Sequence, residues 1–159
     1  MQISQAGLDL IKHFEGCVLE AYPDPKTGGA PYTCGWGSTG PDVQKDTVWT
    51  QQLADARLVR DVGHFEAMAN NAIQVPVTQG QFDALVSILF NVGPGSEDKD
   101  GILRLKSGIP STLLRLLNAR DYDGAADQFL RWVSPGSRVE RGLIRRRTAE
   151  QMMFLTGKA

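Results

Sequence analysis

The stretch Leu10–Thr39 decides the fold, and it reads LIKHFEGCVLEAYPDPKTGGAPYTCGWGST. Its first residues complete a helical pattern, because apolar residues recur at i, i+3, i+4 and i+7 counted from Gly7. Ser4 is a suitable N-cap and Gly16 a natural stop, so the sequence predicts a helix over residues 4–15. The single acidic residue at the end of this helix is Glu15.

The composition changes after the helix, because residues 17–39 are rich in Pro and Gly. Two short β-prone pieces, Val18–Tyr22 and Tyr32–Trp36, stand on either side of that turn-rich segment. Such pieces separated by turn residues are typical of a β-hairpin. The sequence therefore predicts a small hairpin lobe over about residues 17–40.

Helical periodicity dominates the rest of the chain. Thr50, the Thr78–Gln81 capping box and Ser111 are suitable helix starts, and Gly93 is a suitable stop. The predicted helices cover residues 50–70, 79–91, 111–118, 122–132 and 139–155. We therefore predict an α+β fold in one domain over residues 1–159. The helical lobe would comprise residues 1–16 and 50–159, with a ligand cleft between the two lobes.

Composition limits the classes of protein that fit. The 159 residues are enough for one compact domain, and 42% hydrophobic with 22% charged residues is typical of globular proteins. No apolar run approaches the roughly 20 residues of a membrane-spanning helix. The N-terminus lacks a basic region followed by an apolar run, so we expect synthesis in the cytoplasm without a signal peptide. Since no run could span a membrane, we expect no stable membrane insertion. We also expect a monomer.

The net charge of −1 conceals an asymmetry. Residues 102–159 carry +6, from 11 Lys and Arg against 5 Asp and Glu, whereas residues 1–101 carry −7. A basic C-terminal third fits either an anionic partner or helix faces that neutralise the acidic part. Arg145–Arg147 is the strongest nucleic-acid cue, but it has no neighbouring aromatic residues, so we expect a solvated helix face and no nucleic-acid partner.

Glu15 and Asp24 are the candidate catalytic pair. Glu15 follows an apolar helix edge, where a carboxylic acid can keep its proton. Asp24 lies in the Pro-flanked stretch Tyr22–Pro25, where an exposed carboxylate stays ionised. Glycoside hydrolysis uses two carboxyl groups, one protonated and one ionised, in different environments. Most Glu and Asp pairs in a protein of this size, however, are solvated surface charges.

The remaining chemistry-bearing residues give no metal signature. Cys17 and Cys34 lack the spacing of metal ligands, and whether they pair is left open. We expect no metal and no cofactor.

Several motifs in the same order resemble the phage-type lysozymes, glycoside hydrolase family 24. They are LIKHFEG with AYPD and YTCGWGSTG, then QFDALVSILFNVG (81–93), STLLRLLN (111–118), FLRW (129–132) and RGLIRRRTAE (141–150). The resemblance implies a lysozyme-like fold in which Glu15 is the general acid. It also implies that Asp24 and Thr33 position or activate water.

The implied reaction is hydrolysis of the β-1,4 bond between N-acetylmuramic acid and N-acetylglucosamine in peptidoglycan, with inversion at the anomeric carbon. Two departures from the family pattern stand out. The gap between the Asp and the Thr is longer than usual, which leaves Thr27 and Thr39 as alternatives to Thr33. Ser38 stands where the family often has a His.

The resemblance also suggests residues that bind substrate. Asn91 would face the sugars, and the aromatic side chains of Tyr22 and Trp36 would line the cleft. For Arg138 and its neighbour Arg141, a role near the substrate and ordinary surface charge both fit.

Alternative functions are a lytic transglycosylase on the same bond, a chitin-directed hydrolase, a non-catalytic peptidoglycan-binding relative and, more remotely, a nucleic-acid module. An endolysin would act on peptidoglycan in the periplasm after release, and we expect it to depend on a phage holin. The lack of a wall-binding module in the sequence favours a Gram-negative host.

Overall fold

A computed structural model describes residues 1–25 and 27–158. Its elements, in chain order, are α1 (Gln5–Glu15), β1 (Val18–Pro23), β2 (Tyr32–Gly35), α2 (Gln51–Ala72), α3 (Gln79–Val92), α4 (Thr112–Asn118), α5 (Tyr122–Asp127), a 3-10 turn (Phe129–Arg131) and α6 (Glu140–Thr156). Helices thus accompany a two-stranded sheet, and the predicted α+β class is confirmed. None of the helices among these residues is long and apolar enough to span a bilayer.

The chain divides into two compact units. One comprises residues 11–64 and is called here the hairpin unit. The other comprises residues 1–10 and 65–159 and is called the helical unit. The divisions fall inside α1 and α2, so each of these helices contributes residues to both units.

The hairpin unit is built around β1. β1 and β2 pair in antiparallel fashion, with Tyr22 opposite Thr33 and an irregularity between Val18 and Tyr22. On the other edge of β1, Trp49 donates its backbone N–H to the carbonyl of Leu19 at 2.9 Å. The unit's small core consists of the buried residues Cys34, Val43, Trp49 and Ala54.

The predicted helix starts are confirmed. The N–H of Leu53 donates to Thr50 Oγ1 at 3.1 Å, and Thr78 with Gln81 forms the capping box. Ser111 Oγ accepts from the N–H of Leu114 at 3.2 Å. These caps satisfy backbone donors that have no partner within the helix, which is why the starts were readable from the sequence.

The core of the helical unit lies between α3 and α6. Nine residues of α3 are buried, namely Gly80 and all eight from Phe82 to Leu89. At Gly80, an added Cβ would lie 2.6 Å from the carbonyl oxygen of Met153 and 2.5 Å from Cα of Gly157. The two helices therefore approach so closely at this point that only glycine fits.

The prediction of one helix over residues 122–132 is wrong. α5 ends at Asp127, and the chain tightens into the 3-10 turn Phe129–Arg131. Phe129 is fully buried, with its ring centroid 5.4 Å from that of Phe154. A short helix that contains Gly124 has little intrinsic stability, so the burial of Phe129 decides the local geometry.

The prediction of a solvated face at Arg145–Arg147 is also wrong for two of the three residues. Arg145 is exposed, but Arg146 and Arg147 are only 4% and 0% exposed. Both pair with Glu150, itself 0% exposed, at 3.1 and 3.0 Å. Buried arginines require such a partner, and the i+3 and i+4 spacing on one helix supplies it.

Candidate active site

Glu15 is the last residue of α1, and its side chain is half-buried. Ile11, one turn earlier on the same helix, is fully buried. The Oε2 atom of Glu15 lies 3.7 Å from the position that a Cβ on Gly37 would occupy. The carboxylate thus lies beside the backbone of the turn that follows β2.

Gly37 has a φ of +94°, a conformation that side-chain-bearing residues rarely adopt. Glycine here allows the chain to turn back after Trp36, and Ser38 and Cys34 then exchange backbone hydrogen bonds at 3.0 Å in both directions. This turn is the local structure against which the Glu15 carboxylate is placed.

Asp24 follows directly after β1, at the start of the hairpin turn, and is half-buried. Its backbone N–H donates to the carbonyls of Gly29 and Pro31, at 3.0 and 3.1 Å. Its own carbonyl accepts from the N–H of Gly28 at 2.8 Å. Three backbone hydrogen bonds therefore fix the point at which the Asp24 side chain leaves the turn.

Thr33 is half-buried on β2, directly opposite Tyr22. Side chains of directly opposed residues share one face of an antiparallel pair, with Cβ atoms roughly 4.5–5.5 Å apart. Because Asp24 follows Tyr22 by two residues and bonds to Pro31, the hairpin brings Thr33 and Asp24 to the same end of the sheet.

The two alternative threonines are placed differently. The hydroxyl of Thr27 donates to the carbonyl of Ala30 at 3.2 Å and accepts from the N–H of Gly29 at 3.3 Å, so it serves the turn itself. Thr39 is exposed, and its carbonyl accepts from Arg57 Nη2 at 3.1 Å. Neither arrangement resembles the strand position of Thr33.

Trp36 belongs to a polar cluster that the sequence did not predict. Its Nε1–H donates to Asp55 Oδ1 at 2.7 Å, and Lys12 Nζ lies 3.0 Å from the same oxygen. Lys12 Nζ also lies 5.3 Å from the centroid of the Trp36 ring. The hydrogen bond from Trp36, followed by that from Lys12, holds the pKa of Asp55 below its ordinary value. Asp55 and Gln51 lie four residues apart at the start of α2. This spacing is the one feature of the sequence that could have indicated the cluster.

A second network follows the same turn. Ser38 is buried and donates its hydroxyl to Asp61 Oδ2 at 2.6 Å. Arg57 donates Nε–H to Asp61 Oδ1 at 2.9 Å and also pairs with Asp42. The hydrogen bond from Arg57 lowers the pKa of Asp42. Arg57 therefore holds the loop around Thr39 and Asp42 to α2.

The other candidates lie in the helical unit. Asn91, exposed in the last turn of α3, accepts a hydrogen bond at Oδ1 from Arg147 Nη2 at 2.7 Å. Arg147 thereby occupies one of the two acceptor positions of this amide oxygen. Arg138 and Arg141 are exposed, on either side of the start of α6.

The two cysteines are free thiols in this structure. Burial is the main cause that raises the pKa of Cys34. Within residues 1–25 and 27–158, no three side chains of His, Cys, Asp or Glu are grouped so as to hold a metal ion.

A helix that ends in a carboxylate beside a β-hairpin, followed by a body of helices, defines a lysozyme-like protein. The chain belongs to the phage lysozyme family, whose family model matches residues 12–150.

Individual relatives agree with this assignment. The endolysin of Bacillus phage B103 is 43% identical over 159 residues, which is 100% of this chain and 56% of that protein. The muramidase domain of SpmX from Asticaccaulis excentricus is 34% identical, with a TM-score of 0.80 over 98% of both chains. The endolysin from Escherichia coli O157:H7 phage FAHEc1 is 36% identical, with a TM-score of 0.78 over 99% of this chain and 95% of that one.

Relatives differ in length. The chain spans 56% of the endolysins of Bacillus phages B103 and PZA. It matches 98% of the endolysin from Acyrthosiphon pisum secondary endosymbiont phage 1, to which it is 37% identical.

Proposed function

We propose that this chain is a peptidoglycan hydrolase that serves host-cell lysis, and that it hydrolyses the β-1,4 bond between N-acetylmuramic acid and N-acetylglucosamine. The observation that carries the proposal is the position of the Glu15 carboxylate. Its Oε2 atom lies 3.7 Å from the point that a Cβ on Gly37 would occupy, beside the turn after β2. That turn directly follows the strand that bears Thr33. Membership of the phage lysozyme family supports the same chemistry.

In the proposed reaction, Glu15 donates a proton to the oxygen that leaves the scissile bond. Asp24 accepts a proton from water as that water attacks the anomeric carbon, and the hydroxyl of Thr33 orients the water. One water molecule is consumed, and each product carries a hydroxyl at the cleaved position. Attack by water on the face opposite the leaving group inverts the anomeric carbon.

The sugar-binding residues are proposals of the same kind. Tyr22 is exposed beside Thr33 and is suited to stack on a sugar ring. Trp36 has Lys12 over its ring and packs against the core of the hairpin unit, so a sugar would contact the part of the indole that stays exposed. Asn91 would donate Nδ2–H to an acetamido carbonyl, and Arg138 would meet the carboxylates of the wall polymer.

The setting of the reaction stays a prediction. The partner is the glycan strand of peptidoglycan in the periplasm, and a holin gives access to it. We expect the chain to act as a monomer. Hydrolysis by two carboxyl groups requires no cofactor.

The deciding experiment compares Glu15→Gln with the unaltered chain on purified peptidoglycan, followed by mass spectrometry of the released sugars. Glutamine keeps the shape of the side chain but removes the proton donor, so we expect the rate to fall by about 10² or more. Glu20→Gln is the matched control, because Glu20 is an exposed carboxylate on β1 of the same unit. This control should retain full activity.

The products distinguish the alternatives. Hydrated reducing muramic-acid ends support the hydrolase, whereas anhydro-muramic ends would assign the chain to the lytic transglycosylases. A chitin-directed enzyme would release oligosaccharides from chitin instead. Binding to peptidoglycan without any cleavage by the folded, unaltered chain would indicate a non-catalytic relative.

A further inference from the structure

We propose that Asp55 is a positioning residue for Glu15, because it ties the end of α1 to the turn after β2 and thereby sets where the Glu15 carboxylate lies. The inference rests on the proposed function and adds to it a residue outside the sequence motifs. Asp55 acts through Lys12 and Trp36.

The contacts of Asp55 converge on one oxygen atom. Asp55 Oδ1 receives Trp36 Nε1–H at 2.7 Å, Lys12 Nζ at 3.0 Å and Gln51 Nε2 at 3.0 Å. Lys12 belongs to α1, Trp36 to the turn after β2, and Gln51 to α2 together with Asp55 itself. A single carboxylate therefore joins three segments of the hairpin unit.

Two of those segments are the ones that flank Glu15. Lys12 lies three residues before Glu15 on α1, so their side chains project from the same side of the helix. Trp36 directly precedes Gly37, and Glu15 Oε2 lies 3.7 Å from the position that a Cβ on Gly37 would occupy. A change at Asp55 therefore alters the spacing between the acid and its neighbouring backbone.

The exposure of the cluster separates positioning from general stability. The side chains of Lys12 and Asp55 are 24% and 40% exposed, and ion pairs this open to water contribute little to global stability. Catalysis is far more sensitive, because a misplacement of about 1 Å can cost roughly a factor of 10² in rate. Loss of the cluster should therefore reduce turnover much more than it reduces the melting temperature.

The first variant is Asp55→Asn, which keeps the size of the side chain and removes its charge. We expect kcat on soluble peptidoglycan fragments to fall by about tenfold or more, with KM changed by less than about twofold. Lys12→Met is the second variant, because it keeps an unbranched side chain of similar length and removes the ammonium group that pairs with Asp55. If both act through one cluster, their effects on kcat should be non-additive.

Asp42→Asn is the matched control. Asp42 is also an exposed carboxylate that ties a loop of the hairpin unit to α2, through Arg57, but it has no contact with Lys12 or Trp36 among the described residues. We expect a melting temperature close to that of Asp55→Asn and an unchanged kcat.

The Glu15→Gln background distinguishes positioning from a purely structural role, because a structural role would lower the residual rate there as well. There, the addition of Asp55→Asn should leave the residual rate unchanged, because the group being positioned is already gone. The proposal is overturned if Asp55→Asn keeps full kcat, or if it lowers the residual rate of Glu15→Gln by the same factor as it lowers that of the unaltered chain.

Failure of the inference is distinguishable from failure of the proposed function. If Glu15→Gln is inactive while Asp55→Asn is fully active, the function stands and the positioning role does not. If Glu15→Gln retains full activity, the proposed function itself is wrong. Should Asp55→Asn lower the folded fraction, the rate of Lys12→Met, corrected for its own folded fraction, decides by the same criterion.

Discussion

Two carboxylates in this molecule each gather several nitrogen donors, yet they stand in opposite environments. Glu150, in the helical unit, is fully buried between Arg146 and Arg147. Asp55, in the hairpin unit, is 40% exposed and receives Lys12 and Trp36. Desolvation makes each buried charge dependent on its partners, whereas water screens the exposed cluster. Similar contacts can thus stabilise the fold where the carboxylate is buried, as at Glu150, and position neighbouring segments where it is exposed, as at Asp55.

The largest expected effect is that of Glu150→Gln. The substitution leaves two buried guanidinium groups without their carboxylate, and breaking a buried pair in this way costs about 3–5 kcal/mol of unfolding free energy. Urea denaturation measures the loss. Glu140→Gln on the same helix is the control, because Glu140 is partly exposed and accepts a backbone N–H, that of Gly136, at the helix start. A loss for Glu150→Gln no larger than that of the control would remove the contrast with Asp55.

Arg57→Met tests a site between the two extremes. Arg57 is 8% exposed but its partners Asp42 and Asp61 are 51% and 27% exposed, so water can solvate them once the arginine is gone. We expect a loss of about 2 kcal/mol, below that of Glu150→Gln, from lost packing and hydrogen bonds to a charged group. Arg60→Met, at an exposed position on the same helix, should change the melting temperature little. A loss equal to that of Glu150→Gln would show that exposure of the partners does not matter.

Gly37→Ala tests the backbone conformation of the turn beside Glu15. The φ of +94° disfavours any residue with a Cβ, and we expect a loss of about 1–3 kcal/mol from backbone strain. The added methyl group would also lie 3.7 Å from Glu15 Oε2, which is ordinary contact and leaves space for the carboxylate. Gly142→Ala, within α6 and with no neighbour near its Cβ direction, is the control and should be neutral or stabilising. Equal stability of the two variants would contradict the strain argument.

The smallest expected effect is a dependence of stability on pH. The pKa of Asp55 is lowered by Trp36 and Lys12, so its contribution is present above the ordinary value of 3.8 and is lost as pH falls through the lower folded value. Melting temperatures of the unaltered chain and of Asp55→Asn should therefore converge below about pH 3.8. The difference should be small at neutral pH, since the group is largely solvated. A gap that widens on acidification would contradict the assignment.

Much of the hairpin unit could be read from the sequence. The helix that ends at Glu15, the β-prone pieces and the turn glycines all act through local backbone preferences, which the order of residues displays directly. The capping residues Thr50, Thr78 and Ser111 were readable for the same reason. The break after Asp127 was not, because the burial of Phe129 against Phe154 is a contact between separate segments.

Periodicity and turn chemistry in the sequence predicted the α+β class. The ordered motifs pointed to the family, and the resemblance to that family supplied the candidate site residues. Only the tertiary structure decided that Arg146 and Arg147 are buried on Glu150, and that Asp55 joins Lys12 to Trp36. The physical reason is that the energy of a charge depends on its exposure and on its partners. Local sequence signals the spacing of a charge along one helix, but only the packing of distant segments sets how much water reaches it.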